Sequence, residues 1–373
     1  MSKSLIPDVD ISFYNQASIF LERALRSFGI SSLSGLRQIS NELPTLIPPI
    51  LINDFRRVSI EEKEALSNAF YGRYGVAYFI VMNPDSEASF GHPLIALSRQ
   101  LTDVLPLSYP ITHPAEIEPL AEALFGPPDG TLKVFQRADQ DNSQEMKELH
   151  MHQDGIGSAG TIVTIALYCE SAPLWGGFTC FQNALRLVLE LARQDIEAFE
   201  ALFHPMAITV IRRQGDNALK VTGPVLYLNA QGDPQIFLRA EGGDYDMFWY
   251  KNEALLRARR FLSTYLKPFS FGTGFVQFSA QGQGCFIHNR IVLHGRTRFM
   301  DGPCQRRVLA RKWFADTAEN ATVKRVPGLK ILNDYASLRP DLFGEEVLQG
   351  IWRYNNGEGC NVRLHDKQLS FQL

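Results

Sequence analysis

The sequence predicts an α+β fold with a mainly β core, a β-sandwich or jelly roll decorated by outer helices. Three observations lead there. After about Gly130, short β-branched or alternating runs recur between turn signals. The helical periodicities lie towards the N-terminus or outside those runs, where helices cover a sheet. No internal repeat, low-complexity tract or clear linker divides the chain, so it reads as one domain over residues 1–373. Within it, 1–130 would supply helices and strands that support a barrel, 131–315 the jelly-roll core, and 316–373 a tail able to act as a lid.

Taken in order, Phe13, Ala17, Phe20, Leu21, Ala24, Leu25 and Phe28 recur at helical spacing, which predicts a helix over 11–28 with one buried face. A second helical stretch is expected over Ser32–Leu43, ended by Pro44. Two prolines break the apolar run Leu46–Ile52, which therefore reads as an extended edge segment. Ser59 is a suitable N-cap for a helix running to about Arg73, and Gly75–Met82 follows as an apolar strand. Helices are expected at Leu94–Leu105 and Ala115–Phe125. Beyond Gly130, strands are expected at 131–136, 161–169, 176–181, 207–212, 219–229 and 235–239, with helices at 183–193, 196–203 and 251–266. Glu241–Asp244 reads as a turn, and the last strand cluster comprises 284–287, 290–294 and 307–314.

A hydrophobic fraction of 45% in 373 residues furnishes a substantial core. The net charge of −3 is spread without a basic block, which argues against a nucleic-acid partner. The N-terminus lacks an apolar stretch of signal-peptide length and no segment approaches a membrane span, so a soluble, cytoplasmic protein with no membrane partner is expected. Cys169, Cys180, Cys285, Cys304 and Cys360 are odd in number and form no Cys-x-x-Cys pair; they read as reduced and mostly buried thiols.

The chemistry collects at Leu149–Gly157, where His152 and Asp154 stand two residues apart. On an extended strand that spacing puts an imidazole and a carboxylate on one face. Two histidines and one carboxylate hold iron(II) in non-haem oxygenases and leave positions open. The ordinary reading stands beside it, because His-x-Asp occurs by chance in many loops. For the second histidine, His92, His113, His204, His288, His294 and His365 are candidates. His294 is favoured by its surroundings, Asn289-Arg-Ile-Val-Leu-His-Gly-Arg followed by Arg306-Arg-Val-Leu-Ala-Arg.

Four motifs in order, His152-Gln-Asp154, Gly176-Gly-Phe-Thr179, Asn289-Arg-x3-His294-Gly-Arg and Arg307-x3-Arg311, resemble those of the iron(II)/2-oxoglutarate-dependent dioxygenases of the taurine dioxygenase and clavaminate synthase-like superfamily. They fall within residues 131–315. The resemblance implies a double-stranded β-helix, a jelly roll whose open mouth holds the metal, with Fe(II) as cofactor and 2-oxoglutarate and O2 as cosubstrates. It makes His152, Asp154 and His294 the iron ligands and Arg307 the partner of the far carboxylate of 2-oxoglutarate. A guanidinium suits that task because it offers two parallel donors in the carboxylate plane. Thr179 would donate its hydroxyl to the same carboxylate, and Arg311, on the same strand face as Arg307, would grip a substrate carboxylate. Arg306 should point away, while Arg296 and Arg298 should pair with carboxylates or line the mouth. His150 is read as a solvated or core histidine.

Superfamily members that halogenate carry a small residue at the carboxylate position, so the Asp154 kept here argues for oxygen chemistry. The implied reaction couples decarboxylation of 2-oxoglutarate to succinate and CO2 with oxidation of a substrate C–H bond: hydroxylation, desaturation or oxidative cyclisation. The expected partner is a small molecule bearing a carboxylate, an amino acid or a derivative of one. A non-catalytic jelly-roll metal- or ligand-binding protein is the alternative, and a zinc hydrolase a third reading that leaves Arg307 and Thr179 without a task. Phe178 departs from the polar residue that many relatives place before the threonine, and Trp352 and Tyr354 are offered as aromatic groups of the mouth.

Overall fold

The computed structural model describes residues 11–84, 92–111, 132–135, 147–155, 162–204, 207–212, 219–229, 232–240, 245–250, 252–317, 361–365 and 368–372. Its elements in chain order are α1 (Ile11–Ser27), β1 (Thr45–Leu46), β2 (Ile50–Ile52), α2 (Ile60–Phe70), β3 (Val76–Val81), α3 (Pro93–Gln100), β4 (Tyr109–Ile111), β5 (Leu132–Phe135), β6 (Leu149–His152), β7 (Thr164–Ser171), β8 (Trp175–Gly176) and β9 (Phe178–Asn183). They continue with α4 (Ala184–Gln194), α5 (Ile196–Ala201), β10 (Ile208–Arg212), β11 (Leu219–Gly223), β12 (Leu226–Leu228), β13 (Pro234–Ile236), β14 (Tyr245–Trp249) and α6 (Glu253–Tyr265). The last are β15 (Gly274–Gln277), β16 (Gln283–His288), β17 (Val292–Arg296), β18 (Phe299–Met300), β19 (Val308–Ala315), β20 (Asn361–His365) and β21 (Gln368–Gln372).

Two sheets face each other, as a mainly β jelly-roll core requires. One has the order β1-β15-β9-β17-β6; the other runs β2-β3-β16-β7-β19-β4, with β5 also paired to β19. Strand alternation sorts their side chains into layers. Phe181, Val276 and Val292 from the first sheet meet Ile165, Leu167, Ile287 and Leu309 from the second in the core between them. Met151, Cys180 and Leu293, on the other face of the first sheet, pack with α1, α4, α5 and α6. Phe79, Tyr168, Phe286 and Phe314 do the same beneath α2 and α3. The inner face of the first sheet therefore carries His152, His294, Arg296 and Thr179, because their neighbours Met151, Leu293 and Cys180 face outwards.

The Ser59 cap is present as a reciprocal box: its hydroxyl accepts the Glu62 N–H at 3.2 Å, and the Glu62 carboxylate accepts the Ser59 N–H at 2.8 Å. The helix expected over Ser32–Leu43 is instead two short 3-10 turns, Leu33–Gly35 and Ile39–Asn41. Serines and Gly35 explain the difference, since such residues favour turns over helix continuation, and the Ser32 and Ser34 hydroxyls bond each other at 2.8 Å. The strand expected over 219–229 is broken between β11 and β12, where Gly223-Pro224 cannot continue a ladder. Strands β14 and β15 were absent from the sequence reading, and α3 stops at Gln100, short of Leu105. The expected helix Ala115–Phe125, the turn Glu241–Asp244, Cys360, Trp352 and Tyr354 lie outside the described residues. Cys169, Cys180 and Cys285 are buried free thiols and Cys304 is exposed. No helix among the described residues is long and apolar enough to cross a membrane.

Two histidines tie helices to this frame in their neutral form. His288, at the end of β16, stacks on Phe70 of α2 at 5.0 Å, and burial pulls its pKa down to about 4. His204 stacks on Tyr250 and burial pulls it down to about 4 as well. The unfolded chain takes up protons on these rings below about pH 6.5, whereas the folded chain resists until about pH 4. Stability is thus complete above that window and is lost as pH falls through it, at a cost on the order of 2 kcal/mol by pH 5 for the partly exposed pair. Urea midpoints at pH 7 and pH 5 measure the loss. His288→Phe, which keeps the stack, is expected to flatten the decline.

Candidate metal centre

The pairing of β6, β17 and β9 builds a row of side chains across the inner face. His294 stands opposite His152 on one side and Phe181 on the other. The two imidazole centroids lie 4.4 Å apart. Gly295 allows this approach: a Cβ there would come within 2.7 Å of the Leu149 carbonyl. Asp154 is not on the strand. β6 ends at His152, and Asp154 sits in the following turn, so strand alternation does not bring it to the histidines.

Asn289 does. Its side-chain carbonyl accepts the Asp154 N–H at 2.9 Å, and its amide nitrogen donates to Asp154 O at 3.1 Å and Ile162 O at 3.0 Å. Gln153 completes the clamp, donating to Asn289 O at 2.7 Å and accepting the Leu238 N–H at 3.0 Å. Asn289→Ala leaves these backbone groups unanswered, and it is expected to weaken iron(II) binding about 10- to 100-fold, the usual effect of losing a residue that orients a ligand. Anaerobic metal titration with a competing chelator measures it.

The ligand-bearing atoms of His152, Asp154 and His294 lie within 4.8 Å of one another. Asp154 Oδ1 is 3.3 Å from His152 Nε2 and 3.7 Å from His294 Nε2. His152 Nδ1 lies 2.7 Å from His150 O; a carbonyl only accepts, so the proton belongs on Nδ1 and the Nε2 lone pair faces the centre. Burial, with His152 and Arg311 nearby, pulls His294 down to about 3, which keeps it neutral. Burial alone would raise Asp154, but Arg311 and the two imidazoles hold it well below the usual carboxylate range. Its Oδ2 accepts the Trp313 indole N–H at 2.8 Å and lies 3.4 Å from Arg311 Nη1, which leaves Oδ1 turned towards the imidazoles. Two neutral nitrogens and one anionic oxygen on one side of a point fit a divalent iron ion with open positions.

A buried cation packs on Phe299. Arg307, 5% exposed, makes no side-chain hydrogen bond or ion pair among the described residues, and burial brings its pKa down to about 10 despite Cys169 and Asp301 nearby. Its guanidinium lies 5.2 Å from the Phe299 ring centroid, and that of Arg296 lies 4.6 Å from it. Gly177, at φ +71°, takes a backbone conformation that L side chains rarely adopt, and a Cβ there would crowd Phe299 Cβ at 3.2 Å. Thr179 is 4% exposed, and its hydroxyl has no partner among the described residues.

Arg306 and Arg298 are exposed. Arg296 donates to Lys147 O at 2.9 Å. His150 is half-buried and enters the site through its carbonyl. Arg311 reaches Asp154 and stacks over Trp313 at 4.8 Å. The sequence reading assigned no role to Asn289 or Trp313. The signal for Trp313 was its spacing, since two residues beyond Arg311 it shares that strand face.

Residues 118–313 match the model of the taurine catabolism dioxygenase TauD, TfdA family. A uridine-5'-phosphate dioxygenase from Amycolatopsis sp is 33% identical over 169 residues, which cover 44% of this chain and 60% of that protein. One from Streptomyces sp is 31% identical over 43% of this chain and 59% of its own length. The chain thus spans about three-fifths of the length of these curated relatives. Among solved structures it aligns with the non-heme iron oxygenase OrfP at 16% identity and a TM-score of 0.49, covering 84% of this chain and 97% of that one. It also aligns with an asparagine oxygenase solved with Fe(II), 2S,3S-3-hydroxyasparagine and succinate, at 16% identity and a TM-score of 0.43 over 83% of this chain and 92% of that one. Since the matched segment exceeds half of the sequence, the chain belongs to the TauD, TfdA family of dioxygenases.

Proposed function

We propose that the chain is an iron(II)/2-oxoglutarate-dependent oxygenase that oxidises a C–H bond of a small anionic substrate, with release of succinate and CO2. The observation that carries this reading is the buried Arg307 guanidinium, which has no side-chain hydrogen bond or ion pair among the described residues and stands just ahead of the strand β19 that bears Arg311. A fully desolvated cation is costly to leave unpaired, and a dicarboxylate cosubstrate answers it. His152, Asp154 and His294 would hold the iron. When bound, iron with 2-oxoglutarate and O2 supplies the oxidising power. Arg307 would bind the far carboxylate of 2-oxoglutarate through paired N–H donors, and Thr179 would donate its hydroxyl to the same group. Trp313 and Arg311 hold Asp154 by one oxygen, so that the other keeps a fixed direction.

For the substrate, Arg311 suits the carboxylate of an amino acid or a derivative, with nitrogens beyond the one that faces Asp154. A second reading, a nucleoside monophosphate, is favoured by the two relatives named for uridine 5'-phosphate. Adding iron(II) and 2-oxoglutarate without air should give a weak charge-transfer band in the visible, and admitting air with a substrate panel should release succinate. A band without succinate or oxidised product for any candidate would favour a non-catalytic binding protein. Hydrolysis with zinc alone would favour a hydrolase. Arg311→Ala separates the roles further: a raised substrate KM with 2-oxoglutarate affinity retained places it on the substrate, and equal loss of both moves it to the cosubstrate.

A further inference from the structure

We propose that Arg239 is a substrate-binding residue that takes the phosphate of a phosphomonoester at the rim of the metal centre; this rests on the oxygenase reading with a nucleoside monophosphate as substrate. The row of side chains across the first sheet does not end at His152. Beyond β6 the chain returns after β13, and Arg239 forms an isolated antiparallel bridge directly opposite His152. Across the sheet the order is then Arg239, His152, His294 and Phe181. Residues directly opposite in antiparallel strands project to the same face. The flanking residues give the same answer independently. Leu238 and Ala240 pack with Met151 in the core outside the sheet, so Arg239 between them projects inwards, as His152 does between Met151 and Gln153.

This bridge is held in register. The Ala240 N–H donates to Met151 O at 2.6 Å, and the Leu238 N–H donates to the Gln153 side chain at 3.0 Å. The Gln153 side chain that holds Leu238 also belongs to the clamp that places Asp154, so one network sets Arg239 and the metal carboxylate together. Arg239 is 5% exposed, buried as deeply as Arg307. Successive paired residues stand about 4.5–5.5 Å apart across strands, less than the length of an arginine side chain, so its guanidinium is within reach of the space over His152. Arg307 is proposed for the cosubstrate, and Arg311 faces Asp154 through one nitrogen and keeps others for a carboxylate; Arg239 brings a further positive charge to this face from the opposite edge. A phosphate monoester, with about two negative charges and three acceptor oxygens at neutral pH, suits a planar guanidinium that approaches from one side. A zwitterionic amino acid presents one carboxylate, for which Arg311 suffices.

The test measures binding without turnover, by calorimetry in the absence of air on protein loaded with iron(II) and 2-oxoglutarate. The probes are uridine 5'-monophosphate, uridine, and free amino acids. Uridine 5'-monophosphate should bind wild type and bind Arg239→Gln at least about 30-fold more weakly, as expected for removing one partner of a buried charge pair. Arg239→Lys should recover part of that loss, uridine should bind both proteins alike, and 2-oxoglutarate affinity should not change. The proposal is overturned if uridine 5'-monophosphate binds Arg239→Gln within threefold of wild type, or if only amino acids lose affinity. It is also overturned if both variants lose 2-oxoglutarate as well, which marks a structural role. Wild type that binds 2-oxoglutarate but not the nucleotide sinks this inference and leaves the oxygenase reading standing; wild type that binds neither sinks both.

Discussion

Arg307→Met is expected to abolish saturation by 2-oxoglutarate while leaving the folded apoprotein as stable as wild type or more so. The opposite signs follow from one fact, the burial of a guanidinium that has no ion pair among the described residues. In the free protein the desolvation of the charge outweighs what Cys169 and Asp301 return, which is why burial pulls its pKa down to about 10. A methionine of similar length removes that cost and still packs on Phe299. In the complex the same substitution strands a buried carboxylate, a loss of about 2–5 kcal/mol, or roughly 30- to 5000-fold in affinity. Arg307→Lys should not restore binding, because an ammonium cannot supply two parallel donors in the carboxylate plane. Calorimetric titration of 2-oxoglutarate and urea melts of the apoproteins give the two halves. Unchanged affinity would remove Arg307 from the cosubstrate pocket, and a marked loss of apoprotein stability would make it a structural cation.

The sheets were legible because their strands are β-branched or alternate, as in Thr164–Ser171 and Val308–Ala315, and the helices because their apolar residues recur at three and four. Turn-forming serines hid the true state of Ser32–Leu43, where local hydrogen bonds compete with helix on terms that periodicity does not register. Motif order singled out His152, Asp154 and His294, which the fold brings within 4.8 Å of one another, and it also singled out Thr179, Arg307 and Arg311. Their supports were not legible. Asn289 places Asp154 by three hydrogen bonds to backbone groups, which any asparagine could make only after the fold has brought Asp154 and Ile162 to it. Arg239 carries no local signal, since a single bridge across the sheet defines its place. The reason offered for the closeness of His152 and Asp154 was also incomplete: two residues on a strand share a face, yet here the strand stops at the first of them.

That difference shapes the second large effect, expected at Asp154. Asp154→Ala should weaken iron(II) binding by more than about 100-fold, beyond the cost of losing only a residue that orients a ligand, and reduce succinate formation to background. His152→Ala should do the same, and iron binding equal to wild type in either variant would discard the site. The two differ in what they do to the rest of the protein. Removing the Asp154 carboxylate also strips Trp313 Nε1 of its acceptor and Arg311 of its nearby anion, so Asp154→Ala should lower stability even without metal. His152→Ala removes a ring that bonds the His150 carbonyl and lies 3.3 Å from Asp154 Oδ1, while leaving the Trp313 and Arg311 contacts of Asp154 in place, and it should cost less. Asp154→Asn separates charge from geometry. Its amide oxygen can still accept the indole N–H, so much of the stability should return, while the lost negative charge keeps iron binding weak. Recovery of iron binding in Asp154→Asn would mean that Asp154 serves to brace Trp313 and Arg311 and that the metal is held elsewhere.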